Sequence, residues 1–169
     1  PGRFKGMDLT IESLTGSEKV ATLEGIVSAY ADWVNELSGR VTAAFKGSRH
    51  EGAAQRVFER QSACVARITQ GCNLVTSDPE VEAAWSFALR SMAAQFERPA
   101  SKMASPGDAP SLRPFQVAYA LLVLPGLGER GAADASREIV DLLWFPTGGG
   151  KTEAYLLVVL LEAFLRRIQ

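Results

Sequence analysis

A chain of 169 residues is long enough for one domain with a sizeable core, and its 47% hydrophobic and 22% charged residues are an ordinary globular balance. A net charge of −1 excludes a broad electrostatic pull toward nucleic acid or anionic lipid, leaving only a local groove for such a partner. Two cysteines, Cys64 and Cys72, and one histidine, His50, make neither a disulfide framework nor a zinc site, so a reduced, cytoplasmic setting is the simplest expectation.

Residues 1–16, with Gly2, Gly6 and Gly16, read as an irregular lead-in. Thr15-Gly16-Ser17-Glu18 fits a capping box, with Thr15 as N-cap and Glu18 three residues on. Val20, Leu23, Val27, Tyr30, Val34 and Leu37 then alternate three- and four-residue spacings, which predicts a core-facing helix, with a short coiled-coil seam as the alternative. His50 falls in a polar loop between Lys46, Arg49 and Glu51 and reads as a solvated side chain. A second helix over about 52–70 carries the stripe Ala54, Val57, Phe58, Gln61, Cys64, Val65 and Ile68, with Gly71 as its stop. On one helix, the eight-residue separation of the cysteines would span about 12 Å, too far for a disulfide.

Asp78 as N-cap and Pro79 at the first helical position open a third helix, whose apolar face is Val81, Trp85, Ala88, Leu89, Met92 and Phe96. Residues 97–112 hold three prolines and a Pro-Gly turn signal and are taken as a linker, dividing a domain at 1–96 from a region at 113–169. A fourth helix at about 114–124 ends at Pro125-Gly126-Leu127-Gly128, and 126–137 reads as a surface loop. Residues 139–145 are apolar on both faces except at Asp141, as a strand buried in a parallel sheet would be. A final helix runs from about Lys151 to the end. Trp33, Trp85 and Trp144 read as core or partner-facing residues. The apolar runs at 117–124 and 154–161 are shorter than the roughly 20 residues a bilayer span takes, so no membrane partner is expected. Pro1 at the start and a helix-interior pattern over 165–169 suggest an excerpt of a longer protein.

The chemistry concentrates in Phe145-Pro146-Thr147-Gly148-Gly149-Gly150-Lys151-Thr152. A strand, a glycine-rich turn and a helix opening at Gly-Lys-Thr form the P-loop arrangement. Phosphate oxygens must come close to the main chain, and Gly148, Gly149 and Gly150 offer no side chain to block them. The bare N–H groups and the positive end of the following helix attract anions. Lys151 supplies a point charge for the outer phosphates, and Thr152 a hydroxyl for Mg²⁺. The strict pattern asks for glycine where Phe145 stands. The Pro-Thr-Gly-x-Gly-Lys-Thr variant is the form seen in superfamily 2 helicases.

Leu112-Arg113-Pro114-Phe115-Gln116 lies at a helicase-like distance, with Gln116 35 residues before Lys151. A glutamine amide offers one donor and one acceptor, the pair that an adenine edge matches. The stretch Leu143-Trp144-Phe145-Pro146-Thr147-Gly148-Gly149-Gly150-Lys151-Thr152-Glu153-Ala154-Tyr155-Leu156, with Asp8-Leu9-Thr10-Ile11-Glu12-Ser13-Leu14-Thr15-Gly16-Ser17-Glu18-Lys19-Val20 upstream, resembles the large helicase subunits of DISARM anti-phage systems. Phe145 is itself part of that family's pattern.

The resemblance implies a mostly α chain: a helical N-terminal domain at 1–96, a linker at 97–112, and at 113–169 the start of an α/β RecA-like lobe with one strand, the P-loop and a helix. It implies ATP and Mg²⁺ as cofactors. Thr147, Gly148, Gly149, Gly150, Lys151 and Thr152, with Arg113 and Gln116, would bind the nucleotide, and Lys151 and Thr152 would serve catalysis, Thr152 also as metal ligand. DNA is the implied partner, and another DISARM protein a second. The family's acidic motif of the Asp-Glu-x-His type, its arginine fingers and its second lobe do not occur before Gln169, and Arg166-Arg167 reads as a charged helix end. A non-helicase P-loop ATPase or switch and a helical interaction module are the alternative readings.

Overall fold

The computed structural model describes residues 4, 6–96, 109–143 and 148–169. Its helices are α1 (Ile11–Thr15), α2 (Lys19–Phe45), α3 (Glu51–Ser77), α4 (Pro79–Phe96), α5 (Pro114–Val123) and α6 (Lys151–Ile168), with 3-10 turns at Leu124–Gly126, Arg130–Ala133 and Ala135–Glu138. The expected helical character is therefore present.

The lead-in is not irregular throughout, because it contains α1. Thr10 caps that helix, its hydroxyl accepting from the Ser13 N–H at 3.2 Å. Thr15 is consequently the last residue of α1 rather than the N-cap of α2, and its hydroxyl donates to the Ile11 carbonyl at 2.7 Å. A threonine already in helical geometry turns its hydroxyl back on the preceding turn and is lost as a cap for the next helix. α2 starts after Glu18 without a side-chain cap.

α2 and α3 form an antiparallel hairpin of two 27-residue helices, each about 40 Å long. Of the predicted α2 stripe, Leu23 and Val34 are buried and Val20 is 43% exposed. In α3 the buried residues are Ile68, Gly71, Cys72 and Val75, while Val57 is 53% exposed, so the hairpin's free end carries little core. Gly71 does not stop α3. The helix continues to Ser77 because Gly71 is a packing residue: a Cβ there would stand 2.0 Å from the Leu121 carbonyl oxygen of α5. Both cysteines lie on α3, Cys64 exposed and Cys72 buried, and neither is in a disulfide.

Asp78 caps α4 as expected, its carboxylate accepting from Glu80 and Val81 N–H at 2.9 and 3.3 Å. Val81, Trp85, Ala88, Leu89 and Met92 are buried, and the Trp85 indole N–H donates to the Leu14 carbonyl at 3.0 Å. The side chain of Phe96 lies outside the described residues. So does 97–108, but helices before and after it share one apolar core: Leu14, Ile26, Trp85 and Leu89 lie in the same cluster as Leu121 and Leu161. Thr10 also bridges to Ser111, flanked by Ile11 N–H to Pro110 O at 3.0 Å and Leu112 N–H to Leu9 O at 2.9 Å.

The segment expected as a surface loop is partly packed. Gly128 and Gly131 are buried, and Gly128 donates its N–H to the Glu162 carboxylate of α6 at 2.6 Å. The expected strand is corrected over 139–143, where no strand forms, and 144–147 lies outside the described residues. A strand needs neighbours for its N–H and C=O groups, and no other strand is present among the described residues to supply them. Val140 and Leu142 are accordingly 95% and 84% exposed. No described helix is long and apolar enough to cross a membrane.

Candidate functional site

The glycine turn is held where α5 meets the start of α6. Gly148 and Gly150 have φ of 77° and 89°, the left-handed region that other residues occupy only under strain. Gly150 is the N-cap of α6 and, being glycine, brings no side chain of its own to cap that helix. The first turn of α6 places its backbone N–H groups at the helix's positive end. Lys151 is half-buried and Thr152 exposed in that turn. Thr147 lies outside the described residues.

Two side chains of α5 fix the turn. Arg113, the N-cap of α5, donates from Nη1 to the Gly149 carbonyl at 3.0 Å. Gln116 donates from Nε2 to the Gly150 carbonyl at 2.8 Å and accepts at Oε1 from the Arg113 N–H at 2.7 Å. A Cβ on Gly150 would come within 2.7 Å of Gln116 Nε2, so glycine is needed for this approach as well as for its backbone angle. C=O and N–H point opposite ways in a trans peptide, and no cis peptide occurs among the described residues. With both carbonyls drawn to α5, the N–H groups of Gly150 and Lys151 therefore face away from it.

The structure thus brings Arg113, Gln116, Gly148, Gly149, Gly150, Lys151 and Thr152 together. Gln116 is only 2% exposed, and both ends of its amide are engaged within the protein. A base edge meets this amide only if those bonds are exchanged. One carboxylate oxygen of Glu153, in the same turn, is buried without a hydrogen-bond partner among the described residues.

Upstream of the turn, sequence reading missed a second anchor. Arg67 of α3 grips Asp141 with both terminal nitrogens, at 2.7 and 2.7 Å, and the two side chains are 12% and 16% exposed. The hydrogen bond to Asp141 outweighs partial burial and raises the guanidinium pKa further. The signal available in the sequence was a single acid in an otherwise apolar run. Beside this pair an apolar groove of about 350 Å³ runs between α2, α3, α5 and residues 140–143, lined among others by Tyr30, Trp33, Phe115 and Tyr119.

Trp33 is 43% exposed on that groove, whereas Trp85 is core and Trp144 lies outside the described residues. His50 is exposed, as expected, and accepts at Nε2 from Arg49 Nε at 3.0 Å. Arg166 donates to Glu162 at 2.5 Å on the last turns of α6. Burial acts to raise the Glu162 carboxyl, but the Gly128 N–H and Arg166 overcome it and hold it below the ordinary value. No group of three or more His, Cys, Asp or Glu able to hold a metal occurs among the described residues.

No family model matches the chain. It is similar to DISARM protein DrmA of Bacillus paralicheniformis, with 32% identity over 150 residues. That alignment covers 82% of this chain and 13% of the relative, so the chain spans about an eighth of the length of the curated protein it matches. The relative is a DISARM protein, the system to which the motifs at 8–20 and 143–156 point.

Proposed function

We propose that this chain is the part of a DrmA-type, superfamily 2 helicase-like ATPase that runs from a helical domain at 1–96 into the first nucleotide-binding loop, and that residues 147–152 bind Mg²⁺–ATP. The whole protein would act on DNA in cytoplasmic anti-phage defence, with a second DISARM protein as a further partner. The single observation that carries the reading is the glycine turn with left-handed Gly148 and Gly150 at the head of an 18-residue helix, its Gly149 and Gly150 carbonyls held from behind by Arg113 and Gln116.

The residues present fit the nucleotide. Among the described residues nothing lies within 4 Å of where a Cβ on Gly148 would stand. The Gly150 and Lys151 N–H groups face away from α5 and would receive phosphate oxygens, with Lys151 adding charge and the exposed Thr152 hydroxyl reaching the Mg²⁺. Bound Mg²⁺–ATP would supply the scissile phosphoanhydride. The chain's own part is to hold and orient it by fixed dipoles and one cation.

One observation favours a rival, a non-helicase P-loop ATPase or switch: the Gln116 amide is closed on Gly150 and Arg113 rather than open to a base. The test is nucleotide affinity in the full-length protein. Lys151→Ala should weaken ATP and GTP alike, by about 10- to 100-fold for the loss of a charged contact. Gln116→Ala should narrow the ATP–GTP gap if its amide reads adenine, whereas an unchanged ratio assigns it to holding the loop. Near-normal ATP affinity in Lys151→Ala would remove the nucleotide reading.

A further inference from the structure

We infer that Arg67, on α3 in the helical domain, is a positioning residue for the glycine loop, acting through its forked pair with Asp141. The inference rests on the reading of 147–152 as a nucleotide site and adds a control element to it.

Among the described residues, the segment before the loop has no strand partner. Residues 139–143 form no strand, and Ile139, Val140 and Leu142 are 51%, 95% and 84% exposed. Asp141 is the only charged residue in 139–145, and it is the residue that turns inward. A two-bond fork fixes direction as well as distance, which a single bond from a lysine does not. Downstream, Arg113 and Gln116 hold Gly149 and Gly150. The described residues on either side of 144–147 are therefore each held, Asp141 by α3 and Gly149 and Gly150 from the start of α5.

The two gripping helices touch backbone to backbone. Gly71, one helical turn beyond Arg67, lets α3 approach α5 so closely that a Cβ would reach 2.0 Å from Leu121 O. Arg67 thus sits within about one helical turn of the backbone contact between the two gripping helices.

Without the fork, the entry side is released and the loop spends part of its time out of register. Affinity then falls by the fraction of molecules still in register, so a loop competent one-tenth of the time binds about tenfold more weakly. Two readouts separate this from a purely structural role: amide hydrogen exchange over 139–152 in nucleotide-free protein, and Mg²⁺–ATP affinity by titration of a fluorescent ATP analogue. The variants, made in the full-length protein, are Arg67→Ala, Arg67→Lys, Asp141→Asn and the exchange pair Arg67→Asp with Asp141→Arg.

Each of the first three should speed exchange over 139–152 about tenfold while leaving α4 protected, since a local tie is lost and the core is not. Each should raise the ATP dissociation constant by a similar factor, Lys failing because it cannot fork, and the exchange pair should recover part of both effects. If Arg67→Ala does not fold, Asp141→Asn carries the test, because it leaves the shape intact. Lys151→Ala separates the two claims, since it should weaken ATP without changing exchange over 139–143. If wild type binds no Mg²⁺–ATP, the nucleotide reading fails, and exchange alone then decides whether Arg67 holds the loop. Exchange and affinity both within twofold of wild type in Asp141→Asn and Arg67→Lys would overturn the proposal.

Discussion

α6 and the stretch at 139–143 flank the same glycine turn, are both rich in aliphatic residues, and come to opposite ends. Leu157, Leu161 and Leu165 are at most 1% exposed, while Val140 and Leu142 are 95% and 84% exposed. Hydrophobicity does not separate them; backbone completion does. A helix satisfies its own N–H and C=O groups and needs only a surface to lie on, which α4 and α5 provide. An extended segment must find another strand first, and none exists among the described residues. Aliphatic side chains are buried only where the backbone beneath them is already satisfied.

The comparison breaks most readily at its packed side. Trp85→Ala should lower unfolding free energy by about 3–5 kcal/mol, through lost burial and a stranded Leu14 carbonyl. Urea denaturation measures it, and a wild-type midpoint would show that the shared core does not hold the fold. Gly71→Ala tests packing by sign. In an ordinary helix interior the change stabilises by roughly 0.5–1 kcal/mol, whereas pushing α3 off α5 should destabilise by about 1–3 kcal/mol. A raised melting temperature would contradict the close approach. At the exposed side, Leu142→Ser in this chain should change stability by less than about 0.5 kcal/mol. In the full-length protein, if further strands cover this segment, the same substitution should cost about 1.5–3 kcal/mol. Equal, small effects in both settings would mean that the segment never joins a sheet.

The same contrast explains what was legible. Asp78-Pro79 at the start of α4 and Gly150-Lys151 at the start of α6 announce themselves locally, and the Trp85 face follows from periodicity alone. Thr15 was misread because Thr10, five residues earlier, offered a competing cap that only the observed backbone ranks. Gly71 was misread as a stop because glycine ends helices and also lets them touch, and the partner that decides between these roles, Leu121, is 50 residues away. Residues 139–143 read as a strand from composition, which carries no information about whether a neighbour is present. At the site, Arg113, Gln116 and the glycines were named from sequence and found together. The inward bonding of the Gln116 amide and the reach of Arg67 to Asp141 depend on tertiary distance, which spacing along the chain does not encode.

The glycine contact between α3 and α5 also has a mechanical side. It pins a stiff rod near one end. Arg67 lies four residues from the pin, about 6 Å along the axis, and Glu51 at the free end lies twenty residues away, about 30 Å. Swinging about Gly71, the rod gears motion down roughly five to one. A load that shifts the hairpin's free end by about 5 Å moves Arg67 by about 1 Å, enough to carry a 2.7 Å bond beyond hydrogen-bonding range. The exposed far end of the hairpin, which contributes little to the core, is thus where the smallest force acts with the greatest leverage on the grip before the loop.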